Sequence, residues 1–482
     1  MIFDNIKKTG LSLIMATVVL SSCSEKVMDE INQNKNNPND VAARFLIPQV
    51  ITASAFSVTG SDYAFYASVY MESQAGVNGQ MFNAEMRNSE PYSATTYNNS
   101  WNSTYTNLLN LKAVLTKCAV GGSEAGNFQT LGVAQILTAY NLAIQTDLMG
   151  DIPWTEFGSP GVIFQPKIDK QEAIYKEIMN FLDEAIVNLG KPTTFAPLGS
   201  NDLLYKGDSN SWIKFAYGLK ARYKMRLSLK APKYQEVIDD LNKSFTKADE
   251  QAAYKFNGTT SFNPFFRLNR DRQGVLASSK SLHDKLVARN DPRDAKYFAV
   301  NPSNGKKELE FAPNGSPVDI LGRYGISGLL SATAPVHLFS FHELQFLKAE
   351  AYARLSNIPA AETALKTGIA AAFVKVGLTA TAADTYYTAS VKPLFDANPT
   401  KEIVLQKYLS FYEDEAVESY SDYRRLRAMG NKDFIPLANT SDFPLRFTYG
   451  NSDVTTNNNV KEAYGDGRYV NTENVWWAGG TR

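Results

Sequence analysis

The chain has 482 residues, with 49 Lys and Arg balanced by 49 Asp and Glu, and 44% of it is hydrophobic. This neutral balance argues against a nucleic-acid partner, which needs a basic surface to displace counterions. It argues equally against attachment to a membrane through a polybasic face. Length and apolar content suit one large domain, or up to about three domains of ~150 residues.

In chain order, Lys7 and Lys8 come first, then a run of apolar or small residues from Leu11 to Leu20, then Ser21-Ser22-Cys23. A basic start, a short apolar run and small residues before a cleavage point form a secretory signal. The run is too short to span a bilayer, which takes about 20 residues. A Cys directly after such a signal resembles the lipobox of bacterial lipoproteins, with Ser22 where Gly or Ala is usual. Residues 1–22 are therefore expected to be a signal peptide and Cys23 the lipidated first residue of the mature chain. Residues 23–41 are Asn-rich and poor in apolar side chains, and so read as a flexible tether. About 18 residues of coil reach roughly 25 Å on average.

From residue 42 onward the pattern turns helical. Residues 128–148 carry apolar side chains at three- and four-residue steps, stopped by Gly150 and Pro153. Residues 170–189 repeat the pattern with Ile174, Ile178, Leu182, Ala185 and Leu189. Asp208 is placed to cap a helix reaching about Leu229, with Trp212, Phe215, Leu219 and Arg222 on successive turns. His342 to Leu355 and Ala360 to Val376 read as a hairpin broken at Ser356-Asn357-Ile358-Pro359. Residues 402–412 and 415–429 read as a further pair. Small residues at Ala349, Ala351, Ala353, Ala360, Ala361 and Ala364 permit the close packing of tetratricopeptide-type hairpins, although no 34-residue period is present. The expected fold is all-α: one large domain over 42–482, built of tetratricopeptide-like helical hairpins with long irregular loop insertions. Those insertions fall at 76–100, 254–275, 298–330 and 436–482, and loops of such length are usually functional.

Catalytic signatures are missing. After lipidation only Cys118 remains, which precludes an intrachain disulfide, and its apolar setting suits a buried thiol. His342-Glu343 begins like a zinc-protease helix, but Phe346 stands where the second His is needed. No phosphate-binding loop or nucleophile elbow occurs. The acidic groups Asp239-Asp240 and Glu413-Asp414-Glu415 read as solvated helix faces. No cofactor is expected. A structural calcium is conceivable only in the oxygen-rich stretch 451–467, at Asp453, Asn457 and Asp466, without the spacing of an EF-hand.

What remains is binding chemistry. A sugar ring offers an apolar face to aromatic side chains and a polar rim to amide, carboxylate and guanidinium groups. Residues 79–101 and 254–275 mix both kinds. The candidate ligand contacts are Phe82, Asn83, Tyr92, Phe265, Phe266 and Arg272, expected to meet in one aromatic-rimmed site. Trp101, Trp154 and Trp212 read as packing residues.

Several motifs together resemble the SusD/RagB family of outer-membrane nutrient-binding lipoproteins of Bacteroidetes. They are the turn Asp147 to Trp154, the helix Trp212-x-Lys214-Phe215-Ala216 to Arg226, Asp291-Pro292-Arg293, Glu343 to Ala351, Glu402 to Lys407, Asp422 to Arg425, Pro444 to Phe447, and Asn457-Asn458-Asn459. The resemblance covers most of the chain after Cys23. It implies a non-catalytic lipoprotein on the cell surface that captures oligosaccharides, or in some members peptides. It also implies a partner, a SusC-type TonB-dependent outer-membrane transporter on which the lipoprotein sits as a lid. A lipid-anchored hydrolase and a scaffold of helical hairpins are the competing readings. The first lacks catalytic motifs and the second leaves the aromatic insertions unexplained.

Overall fold

A computed structural model describes residues 41–159, 161–302 and 308–482. The signal segment, Cys23 and all but the last residue of the tether lie outside the described residues. After a short helix at Ile47–Ala53 come α1 (Asp62–Tyr70) and α2 (Gly79–Glu85), followed by the long pair α3 (Asn98–Cys118) and α4 (Phe128–Met149). A second pair follows, α5 (Gln171–Leu189) and α6 (Ser209–Arg226), and then the short α7 (Pro264–Asp271). The C-terminal half holds α8 (Phe341–Arg354), α9 (Ile358–Lys375), α10 (Pro399–Ser410) and α11 (Ala416–Ala428).

Local sequence accounts for the helix boundaries. Asn127, Asp208, Ser340, Asn357 and Asn398 each accept a hydrogen bond from a first-turn N–H of the helix they precede. Such caps stabilise a helix end by about 1 kcal/mol each. At the other end of α4, Gly150 has φ +83°, and a Cβ there would sit 2.6 Å from the Arg446 guanidinium. Only glycine fits both the conformation and the space.

The helices stack in series, with α4 between α3 and α5, α6 against α5, and α8 against both α9 and α10. The pairing of 402–412 with 415–429 needs correction. Both helices exist, but α11 packs mainly on α1 at the other end of the chain. Strand structure among the described residues is limited to four two-stranded antiparallel ribbons. One of them, Gln74–Gly76 against Leu276–Ser278, ties the 76–100 insertion to the 254–275 insertion.

Two further expectations are overturned by burial. Residues 436–482 are no peripheral loop, because Arg446, Phe447, Tyr449 and Trp477 are all buried. The Phe447 ring stacks on Tyr97 with centroids 4.1 Å apart. Glu413, Asp414 and Glu415 are no solvated face, since all three are buried. Lys375 reaches Asp414 and Glu415 at 2.9 Å each, His337 bonds Asp414 at 2.7 Å, and His342 bonds Glu415 at 2.6 Å. Asp240 is likewise buried against Lys224 at 2.8 Å, whereas Asp239 is exposed as expected.

Candidate functional site

The N-terminus of α1, the first two turns of α3 and one side of α7 enclose an open cleft of ≈ 300 Å³. Its geometry starts with α7. Asn263 caps that helix by accepting from the Phe266 N–H at 3.1 Å, and its own amide donates to the Ala334 carbonyl at 3.2 Å. Pro264 at the first helical position is preorganised for the turn. Helical spacing then sends Pro264 and Phe265 inward and leaves Arg267, Arg270 and Asp271 exposed. Phe265 meets Phe65 edge to face at 4.9 Å, which fixes α7 on α1.

Phe56 and Phe65 supply the apolar lining of the cleft, and Asp62, Asn99, Arg267 and Arg272 the polar one. Burial pushes the Asp62 carboxyl above its ordinary value, while a hydrogen bond with Asn99 and the charge of Arg272 pull it back down. The Arg267 guanidinium lies 5.5 Å from the Phe56 ring centre and 3.3 Å from Asp271. Asp271 lines the cleft as well, and an aromatic surface flanked by two carboxylates, one amide and two guanidinium groups matches a sugar ring with its hydroxyl rim.

Of the candidates read from sequence, Arg272 lines this cleft. The role of Phe265 as a ligand contact is corrected, because its ring is only 2% exposed and serves packing. Phe266 is half-buried and stacks on Phe262 with centroids 6.3 Å apart, off the cleft lining. Phe82 and Asn83 sit half-buried on α2, outside the cleft. Tyr92 is tied to the C-terminal segment: its carbonyl accepts from the Tyr464 hydroxyl at 2.9 Å, and Arg468 covers its ring at 4.9 Å. The insertions 79–101 and 254–275 do meet, but through Asn99 and Ser100 facing Pro264 to Arg272. Phe56, Asp62 and Ser103 were missed. Gly60-Ser61-Asp62 is a legible helix start, but nothing marks its carboxylate as facing a ligand.

Trp101, Trp154 and Trp212 are core residues, as their motifs suggested. The calcium reading of 451–467 does not fit the donor geometry. Asp453 accepts from the Trp101 indole at 2.6 Å, Asn457 caps the helix Asn458–Tyr464, and Asp466 accepts from the Arg468 N–H at 3.0 Å. His337, Asp414 and Glu415 form the one metal-capable cluster among the described residues. The Lys375 ammonium already fills the cation position between its two carboxylates. The zinc-protease resemblance ends in the same way, with His342 on Glu415 and Glu343 on Arg222 at 2.6 Å each.

The fold defines a class: a helical-hairpin body with a small open cleft between α1, α3 and α7. Residues 35–450 match the SusD-like family described as "Starch-binding associating with outer membrane". The chain belongs to that family. Its solved relatives include a SusD/RagB family protein from Bacteroides thetaiotaomicron VPI-5482, 41% identical, covering 92% of this chain and 100% of that one with a TM-score of 0.87. A chitin-binding SusD homolog from Flavobacterium johnsoniae is 21% identical over 90% of this chain and 98% of its own, with a TM-score of 0.72. A SusD homolog from Bacteroides uniformis ATCC 8492 is 22% identical over 91% of this chain and 100% of its own, with a TM-score of 0.70. At those two identities the likeness shows the fold alone. No curated protein is significantly similar in sequence. The family binds carbohydrate without catalysis, so this chain is a binding protein and not an enzyme. No helix among the described residues is long and apolar enough to cross a membrane.

Proposed function

We propose that the protein captures oligosaccharides at the outer membrane and passes them to a SusC-type TonB-dependent transporter. The observation that carries the ligand class is the cleft itself, whose lining joins Phe56 and Phe65 with Asp62 and Arg272. The chitin-binding relative, though distant in sequence, supports a glycan. The Lys7-Lys8, Leu11–Leu20 and Cys23 pattern supports an acyl anchor at Cys23. One acyl chain holds a protein only marginally, so stable attachment requires more than one.

Calorimetry with chitohexaose and maltohexaose tests the ligand class. Binding by the wild type, with a loss of at least about tenfold in Arg272→Ala, is the expected result. Equal affinity in Arg272→Ala would move the site elsewhere, and release of shortened sugars by the pure protein would overturn the reading as a binder. For the anchor, Cys23→Ala should shift the protein to the soluble fraction. For the partner, a TonB-dependent barrel should co-purify with the acylated wild type from its native membrane.

A further inference from the structure

A second cleft, larger at ≈ 450 Å³, lies at the other end of α1. That helix is about 13 Å long at 1.5 Å per residue. Arg87, the last turn of α11 and the loop 436–443 form its walls. Three features set it apart from an incidental surface groove.

The first is Arg87. Its side chain is 9% exposed, and its backbone is held at φ +55°, in the left-handed region that strains a residue with a side chain. The guanidinium donates to the Ala84 carbonyl at 2.9 Å and the Tyr70 carbonyl at 3.3 Å, and lies 4.6 Å from the Tyr70 ring centre. Its Nε has no hydrogen-bond partner, and among the described residues the group makes no ion pair. Its charge is felt by the buried Glu85 carboxyl, which it pulls down against burial, but it forms no direct ion pair, so an anion in the cleft would still be favoured beside it.

The second is the charge around Arg87. Arg427 and Lys432 are exposed on the same cleft, and among the described residues neither makes an ion pair. Two acids stand on the walls against these three cations, Asp442 and Asp433, the latter 3.9 Å from Lys401. The nearby Glu72 carboxylate is occupied in accepting the N–H groups of Ala438 and Asn439 at 2.7 and 2.6 Å.

The third is order. Those two bonds, with the Asn439 amide donating to the Glu85 carbonyl at 2.7 Å, fix the loop before any ligand arrives. The rings of Tyr423 and Phe443, 4.6 Å apart and inclined at 55°, give the cleft an apolar wall.

We propose that this cleft is a second carbohydrate site, taking a sugar that carries a carboxylate or a sulfate. The anionic group would meet Arg87, Arg427 and Lys432, and the sugar's C–H face would lie on Tyr423 and Phe443. The assignment of a sugar rests on the reading of the protein as a glycan binder, and is independent of the Asp62 cleft being the neutral site.

The test is calorimetry of the full mature chain with trigalacturonate, a chondroitin sulfate tetrasaccharide, chitohexaose and inorganic sulfate. At least one acidic sugar should bind, and added salt should weaken it. The double variant Arg427→Ala/Lys432→Ala, exposed and therefore safe for folding, should lose at least tenfold for that sugar and nothing for chitohexaose. The arm that binds tells uronate from sulfate. Failure of both acidic sugars to bind while chitohexaose binds overturns this proposal alone, and failure of all three sugars overturns the glycan reading as well. Unchanged acid binding in the double variant, or a loss of it in Arg272→Ala instead, also overturns the assignment. Inorganic sulfate binding as tightly as the best acidic sugar would reduce the cleft to a simple anion hole and defeat it.

Discussion

Arginine does two different jobs in the helical body and at its clefts. In the body, Arg222, Arg293 and Arg425 are buried and meet Glu343, Asp291 and Glu350 at 2.6–2.7 Å. At the clefts, Arg272 and Arg427 are exposed, and Arg87 is buried, bonded to carbonyls and set against a ring, with the Glu85 carboxyl within reach of its charge but in no direct pair. Each buried pair sets a carboxylate directly against its guanidinium, although the Nε of Arg425 is left without a partner, as that of Arg87 is. Residue type and even burial therefore fail to separate structure from function, and the facing group narrows the choice without closing it, since Arg424 is buried on the Asp147 and Leu445 carbonyls and the Tyr420 ring outside either cleft lining.

The sharpest way to break this comparison is to remove one arm of a buried pair. Arg425→Ala leaves Glu350 with Arg354 alone, at 2.9 Å, and its carboxyl, which burial would push up, is at present held well below the ordinary range by Arg425 and Arg354 together. Breaking a buried pair in this way destabilises by about 3–5 kcal/mol. Replacing both partners, as Arg425→Met with Glu350→Leu, should lose far less. Urea unfolding of the three proteins measures it, and equal losses in the single and double variants would show that the pair is not what stabilises the site.

Two sets of buried acids should also part company with pH. Burial pushes the carboxyls of Glu85 and Glu413 to about 7, with the Arg87 charge and a Ser327 hydrogen bond respectively opposing the rise. The unfolded chain releases these protons near 4.5. Between those values the folded state holds more protons, so stability falls as pH rises from about 4.5 to 7, by up to roughly 3 kcal/mol per group. Asp414 behaves oppositely. Burial would raise it, but Lys375 and His337 hold it at about 2, so its contribution is lost as pH falls from 3.8 through 2. Melting temperature should therefore peak near pH 4–5. Glu85→Gln should flatten the alkaline slope and leave the acid limb in place.

The difference between the two regions also explains how much was readable in advance. Helix starts at Asn127, Asp208 and Ser340 are set by neighbours in sequence, so caps and apolar spacing gave them away. The partner of α11 was not readable, because an apolar stripe says that a face is buried but not against what. Glu413 to Glu415 looked solvated because their counter-charges, Lys375, His337 and His342, come from two helices and a strand distant in sequence. Residues 436–482 looked like loop because their Asn and Asp content outweighed Phe447 and Trp477, whose rings fill the core. At the Asp62 cleft, Arg272 stood out in a polar aromatic stretch. Phe56 and Asp62 did not, since a ligand wall and a packing face carry the same local pattern.

A third prediction concerns that wall. Phe56→Ala removes an apolar surface of the cleft without touching α7's anchor, Phe265. Truncating a stacking ring at the centre of a site often loses about 2 kcal/mol of binding. The expected calorimetric result is a fall of more than about tenfold for chitohexaose with an unchanged circular dichroism spectrum. A matching fall in Phe82→Ala would return the site to α2.

The smallest effect should come from Asp271, and it tests how free the cleft arginines are. Its carboxylate holds Arg267 at 3.3 Å and Arg270 at 2.7 Å, and all three side chains are exposed. Arg270 pulls its carboxyl below the ordinary value, but pairs in water contribute little to folding because solvent and salt screen them. Asp271→Asn should leave the melting temperature unchanged within error. What it should change is the reach of Arg267, whose guanidinium is freed from its competing anion beside Phe56. Affinity for a neutral oligosaccharide should rise by no more than about threefold, the scale of one exposed ion pair, and the rise should shrink as salt is added. If affinity falls instead, Asp271 itself touches the ligand, and the carboxylate of the site would then be shared between Asp62 and Asp271.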